Sequence, residues 1–323
     1  MTKIRSVLRS AFHKESFTAP LLVLFVIALT FLSKKAPDLL QFSSREDLFL
    51  TYTVLELLIF VLPGVLYTKM KPRGYCADMN LISFGFSQLP QIILMFLVMV
   101  FGGVLMGLAY DHFGIAINTA GTLRQDAQML FESGLSGNAK ELVYLCLALA
   151  VVPAFAEEFL FRGVLLREYR PYGMLCAVSV TSFFFAILHF DILLFPFYFL
   201  AGMALGFTAY CTRSVFASGV VHALYNLFSF FVLPIINNFL SLESGRIAVF
   251  YSVVVLFLLF LMLAFGEAER LFSGYSTAGL PRMRLQKKKF AALPACFDVL
   301  TIPFLLCVLL FVLGSLQIIP LPL

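Results

Sequence analysis

The residues of this chain that could do chemistry are acids, an arginine and histidines set among apolar neighbours. The stretch Pro153-Ala154-Phe155-Ala156-Glu157-Glu158-Phe159-Leu160-Phe161-Arg162-Gly163 places three charges in six residues of an otherwise apolar run. An Asp, Lys or Arg at the centre of a membrane helix costs about 2.5–3.5 kcal/mol on insertion scales, so such groups persist when paired or functional. Helical spacing gives them different roles. Glu158 and Arg162 are four apart, hence neighbours on one face and able to pair. Glu157 is rotated from Glu158 by about 100° and can face elsewhere unpaired. Pro153 removes a helix hydrogen bond four residues earlier, which opens space beside that carboxylate. The competing reading is plain: the three charges end a span at the interface, where Arg162 snorkels.

The histidines shift that balance. The chain has four, and His189 and His222 lie in apolar runs. His222 and Asn226 are four apart and present two polar heads on one helix face. Phe185 precedes His189 by four, so its ring flanks the imidazole; with 38 phenylalanines in the chain, simple core packing accounts for Phe185 equally well. Glu56, Gln88, Gln91 and Tyr198 are other polar groups in spans, and they read first as residues that satisfy one another between helices.

The elements that must position these residues are membrane helices. Hydrophobic residues make up 61% of the chain and charged ones 13%, with mean hydropathy +0.96; a soluble domain is about 45–50% apolar and about 25% charged. An all-α, polytopic transmembrane bundle follows. Its spans fall at about 18–33, 48–68, 86–110, 141–165, 172–190, 193–211, 214–235, 246–266 and 297–318, nine in all with eight as the alternative. The apolar run Leu21–Leu32 resembles a signal peptide but lacks a small-x-small cleavage pattern, and reads as an uncleaved first span. With the N-terminus cytoplasmic, Lys34, Lys35, Arg45, Arg124, Lys140 and Arg246 lie outside and the rest of the 23 basic residues inside, as the positive-inside rule requires. The polar 111–140 segment then falls outside. The Arg282–Lys289 run falls inside, as a topology determinant or an anionic-lipid contact. Residues 1–323 read as a single membrane domain, with 141–235 as its catalytic core. Gly202 and Gly206 form a small-xxx-small pattern for close helix packing, within the chain or between copies. No basic stripe interleaved with aromatics supports nucleic-acid binding. The six cysteines have no zinc-finger or CxxC spacing.

Glu157-Glu158-x-x-x-Arg162, Phe185-x-x-x-His189 and His222-x-x-x-Asn226 resemble, in order, the three signature motifs of the CPBP (ABI) family. That family comprises type II CAAX prenyl endopeptidases and bacteriocin-processing or self-immunity proteins. Successive motifs stand about 32–33 residues apart, and the resemblance covers roughly 141–235. It implies an intramembrane endopeptidase, in a bacterial cell membrane, acting on a membrane-bound peptide or protein of the CAAX or bacteriocin/leader type. It also implies roles: Glu157 as general base, His189 holding the attacking water with it, His222 and Asn226 donating to the oxyanion. Glu158 with Arg162, and Phe185, support. Such hydrolysis needs an activated water, a base and an oxyanion stabiliser.

No cofactor is expected. If a metal such as zinc is used, Glu157, His189 and His222 are its candidate ligands; the chain lacks His-Glu-x-x-His, and Asn226 is a poor zinc ligand. The rival functions are a proton-coupled transporter or proton relay, since Glu and His chains also mark proton pathways, and a non-catalytic scaffold of the same fold. One geometric difficulty arises. A straight span from the inner surface at 172 lifts His189 about 25 Å, while His222 sits about 12 Å up its own span.

Overall fold

The computed structural model describes residues 15–33, 45–72, 74–115, 139–240, 246–277 and 300–316, and every regular element in them is helical. The N-terminal basic tail, Lys34, Lys35, most of the polar 111–140 segment and the Arg282–Lys289 run lie outside the described residues.

Helix α1 is Glu15–Ser33. Helix α2 runs through Arg45–Glu56, a π turn at Leu57–Val61, and Leu62–Lys69; α3 is Leu89–His112. Helix α4, Ala139–Tyr172, is the longest apolar one at 34 residues. Then come α5 (Met174–Ile187), α6 (Phe195–Thr212), α7 (Val215–Phe231), the short α8 (Leu233–Leu240), α9 (Arg246–Thr277) and α10 (Ile302–Ser315). Five of these, α2, α3, α4, α6 and α9, are long and apolar enough to cross a membrane, and α1, α5, α7 and α10 are shorter apolar helices. The protein is thus an all-helical integral membrane protein.

Helices α3 to α7 make the centre, with α5 packed on α6, α7 on α4, and α6 and α7 on α3. Helix α9 lies along α3, and α10 along α1. Residues Ile247, Tyr251, Val255, Leu258 and Met262 on α9 face outward, as suits lipid rather than water as the neighbour. Gly202 and Gly206 settle on an intrachain role. A Cβ at Gly202 would stand 2.9 Å from the Ser182 Cα, and one at Gly206 3.0 Å from a Val178 methyl. These glycines let α6 lie directly against α5.

Two prolines shape the spans that matter most. Pro63 in α2 and Pro153 in α4 each follow a π turn, Leu57–Val61 and Leu147–Val151. A proline cannot donate to the carbonyl four residues back, and widening the preceding turn is one way a helix absorbs that loss. The two interrupted helices meet. Phe60 and Phe161 have ring centroids 6.4 Å apart, and a Cβ at Gly64 would fall 2.7 Å from the Phe159 ring.

Candidate active site

The site is built on the middle of α4, between the Pro153 interruption and a second π segment, Phe159–Leu165. The ion pair drawn from spacing is present. Arg162 Nη1 donates to Glu158 Oε1 at 2.5 Å, with both side chains fully buried. Arg162 Nη2 also donates to the Gly202 carbonyl at 3.0 Å, so the glycine that lets α6 approach α5 also presents its backbone oxygen to the guanidinium. Arg162 therefore ties α4 to α6, and its charge is met by a carboxylate and a carbonyl.

His222 has a contact that its spacing does not reveal. Its Nδ1 lies 3.2 Å from the same Glu158 Oε1, so Glu158 serves a histidine as well as the arginine. The physical reason is close packing of α7 on α4. Gly219 has no side chain where Phe155 sits, a Cβ there falling 2.5 Å from the ring, and the approach carries His222, one turn on, to the buried carboxylate. An oxygen lone pair in such a place needs a donor, and His222 supplies it.

His189 lies differently from its place in the 172–190 span. Helix α5 ends at Ile187, so the histidine stands in the turn to α6 and not within a helix. Its Nδ1 donates to the Phe185 carbonyl at 2.8 Å, because a carbonyl can only accept. His222 Nδ1 likewise faces an acceptor. In both rings Nε2 is left for the site.

Phe185 is the hub. Its centroid is 4.9 Å from that of His189 and 5.6 Å from that of His222, and the Arg162 guanidinium lies 4.7 Å over its face. Both imidazoles therefore pack on one buried ring, which removes the difficulty of depth. Helix α5, at 14 residues, rises about 21 Å, short of the roughly 30 Å hydrocarbon core. Its end stays inside the bundle.

Asn226 Nδ2 donates to the Ala150 carbonyl at 3.2 Å. Ala150 belongs to the π turn before Pro153, so that turn anchors Asn226. Glu157 itself is half-buried and forms no hydrogen bond or ion pair among the described residues. It feels the charges of Glu56, Glu158 and Arg162. No hydrogen bond or ion pair among the described residues joins Glu157 to His189, His222 or Asn226; Glu158, Arg162 and Phe185 link the two histidines to α4.

Two residues set aside in the sequence come into view. Glu56, at the last turn of α2 before its π segment, is electrostatically close to Glu157, and its Oε2 is buried without a partner among the described residues. Tyr198 stacks on His189 with centroids 3.7 Å apart and planes 20° from parallel. Glu56 carried a usable signal, an acid just before a proline-interrupted turn. Tyr198, one aromatic of many, carried none.

No three His, Cys, Asp or Glu side chains are grouped to hold a metal ion among the described residues. Glu157, His189 and His222 form no such group there.

Comparison with known proteins agrees with the motifs. Residues 139–228 match the family described as type II CAAX prenyl endopeptidase Rce1-like. No curated protein and no solved structure matches the chain. The matched segment begins with α4 and ends within α7, so it holds Glu157, Glu158, Arg162, Phe185, His189, His222 and Asn226 and leaves out Glu56. Over residues 139–228 the chain is therefore similar to the Rce1-like, CAAX-type membrane protease family.

Proposed function

We propose that the protein is an intramembrane endopeptidase that hydrolyses a peptide bond in a membrane-delivered peptide or protein, with Glu157 as general base and no metal. The observation that carries this reading is a half-buried carboxylate without a hydrogen-bond or ion-pair partner among the described residues, beside a second carboxylate engaged by Arg162 and His222. A base must have lone pairs free for the proton it takes.

In this reading the groups act together as follows. Glu157 takes a proton from water as the water oxygen attacks the substrate carbonyl carbon, and the carbonyl π electrons move onto oxygen. His189, fixed through Nδ1, accepts a hydrogen bond from that water at Nε2. Asn226, with one amide hydrogen held by Ala150, offers the other to the oxyanion. His222, protonated with Glu158 on its Nδ1, donates from Nε2 to the same oxygen; a carboxylate behind an imidazole supports the imidazolium. Glu157 then returns its proton to the leaving amine as the C–N bond breaks. Donors aimed at a developing oxyanion are worth about 10²–10³ each in kcat. The substrate is of CAAX or bacteriocin/leader type, the membrane a bacterial one, and 141–235 the catalytic core of a single 1–323 domain.

The test uses purified full-length protein in lipid nanodiscs with matched prenylated and unlipidated peptides. Wild type cleaves, and Glu157→Gln, folded and inserted, does not. Cleavage by the variant at the wild-type rate refutes the assignment. Chelation leaves the rate unchanged; loss with chelator and return with zinc overturns the metal-free mechanism. Substrate accumulation across the membrane without cleavage identifies a transporter instead.

A further inference from the structure

We infer that Tyr198 is a positioning residue, setting the plane of the His189 imidazole so that Nε2 points at the attacking water. The inference rests on the proteolytic reading for its kinetic consequence, and on geometry for the rest.

His189 has an unusual need for support. It lies past the end of α5, in the turn to α6. One hydrogen bond, Nδ1 to the Phe185 carbonyl, fixes one point of the ring but leaves it free to swing about that contact. Phe185 lies against one part of the imidazole in a tilted arrangement, with planes 57° apart. Tyr198, from the first turn of α6, lies nearly parallel to the ring at 3.7 Å. A hydrogen bond with one stacked and one tilted aromatic contact defines position and plane together.

The surrounding backbone is built to bring α6 to that place. Phe190, directly after His189, has φ +49°, a left-handed conformation that is an outlier for a bulky side chain and persists where neighbours enforce it. Its ring is buried and packs edge-on against Phe31 of α1, with centroids 5.4 Å apart. The Asp191 carboxylate accepts from the Leu194 N–H at 2.9 Å, securing the start of α6. The turn thus reverses the chain in a few residues, so that Tyr198 returns over His189. A misplaced reacting group costs about 10²-fold for an ångström of error, which gives a reason for such a costly turn.

The test compares wild type, Tyr198→Phe and Tyr198→Leu, all full length in nanodiscs. The four histidines are labelled with 13C at Cε1, and the His189 resonance is identified by its loss in His189→Gln. In Tyr198→Leu that resonance moves downfield as the ring current is removed, and in Tyr198→Phe it stays. An unmoved resonance in Tyr198→Leu overturns the stacking and with it the inference. In the cleavage assay Tyr198→Leu lowers kcat by about 10–10²-fold with KM little changed, and Tyr198→Phe restores the rate. If wild type cleaves only when Glu157 is present and Tyr198→Leu keeps its kcat, the inference fails while the proteolytic reading stands. If wild type shows no Glu157-dependent cleavage, the proteolytic reading fails, and the resonance alone decides whether Tyr198 sets the ring.

Discussion

Helix α4 carries two buried carboxylates, Glu158 at its centre and Glu168 near its end, and they are treated differently. At the end, Glu168 is fully engaged. Tyr75 donates to its Oε1, and Lys71 Nζ meets its Oε2 at 3.0 Å. Arg167 lies 3.6 Å over the Tyr75 ring and reaches Asp78 at 3.2 Å. The result is a polar clasp between α4 and the segment after α2. At the centre, only one oxygen of Glu158 is used, by Arg162 and His222. Its Oε2, Arg162 Nε and Glu56 Oε2 are buried without partners among the described residues, and Glu157 beside them is unpaired. Other buried polar atoms also lack partners, Arg167 Nε of the clasp among them, but the unpartnered carboxylate oxygens among the described residues are Glu56 Oε2 and Glu158 Oε2, and a buried acceptor without a donor calls for an explanation. The clasp holds the fold; the centre keeps groups in reserve for a substrate and a water.

Substitutions can break that contrast. The largest effect belongs to Glu157→Gln, which removes a base worth about 10²–10⁴ in rate and leaves thermal unfolding in nanodiscs unchanged. A drop in melting temperature matching that of a clasp variant would make Glu157 structural as well. Arg162→Met comes next. It strands the buried Glu158 carboxylate and costs about 3–5 kcal/mol, seen as a large fall in melting temperature. Glu158→Leu together with Arg162→Met removes both charges and recovers much of that stability, but not activity, because His222 has then lost its carboxylate. A double variant that cleaves normally would show that Glu158 does nothing for His222.

Much of this centre was legible in the sequence, for a physical reason. Charges in apolar runs are costly enough to stand out, and a spacing of four identifies Glu158 and Arg162 as partners without any coordinates. What spacing cannot reveal is how helices meet. That His222 would turn to Glu158 depends on Gly219 admitting Phe155, a contact between α7 and α4. That His189 lies past a helix end depends on α5 stopping at Ile187, although the apolar run continues to residue 190. Of the π turns before Pro63 and Pro153 the sequence shows only the hydrogen bond that Pro153 removes. The clasp was missed altogether, because Tyr75 and Lys71 stand in a polar segment where such residues are ordinary.

The smallest effects sharpen the other side of the comparison. Tyr75→Phe deletes the donor to Glu168 Oε1 and costs about 1–3 kcal/mol, with kcat and KM unchanged; a kinetic defect would join the clasp to the site. Burial, reinforced by the Glu168 carboxylate, pushes the Tyr75 phenol well above its ordinary value of 10.0. A group raised on folding stabilises fully below its unfolded value, and that stabilisation is lost as pH rises through the folded one. The advantage of wild type over Tyr75→Phe is therefore constant up to about pH 10 and shrinks above it. At pH 11 the folded wild type and variant should show the same tyrosinate absorbance, since Tyr75 is still protonated there. An extra tyrosinate in the wild type would mean that the clasp opens to water, and that Glu168 is less firmly held than its two partners imply.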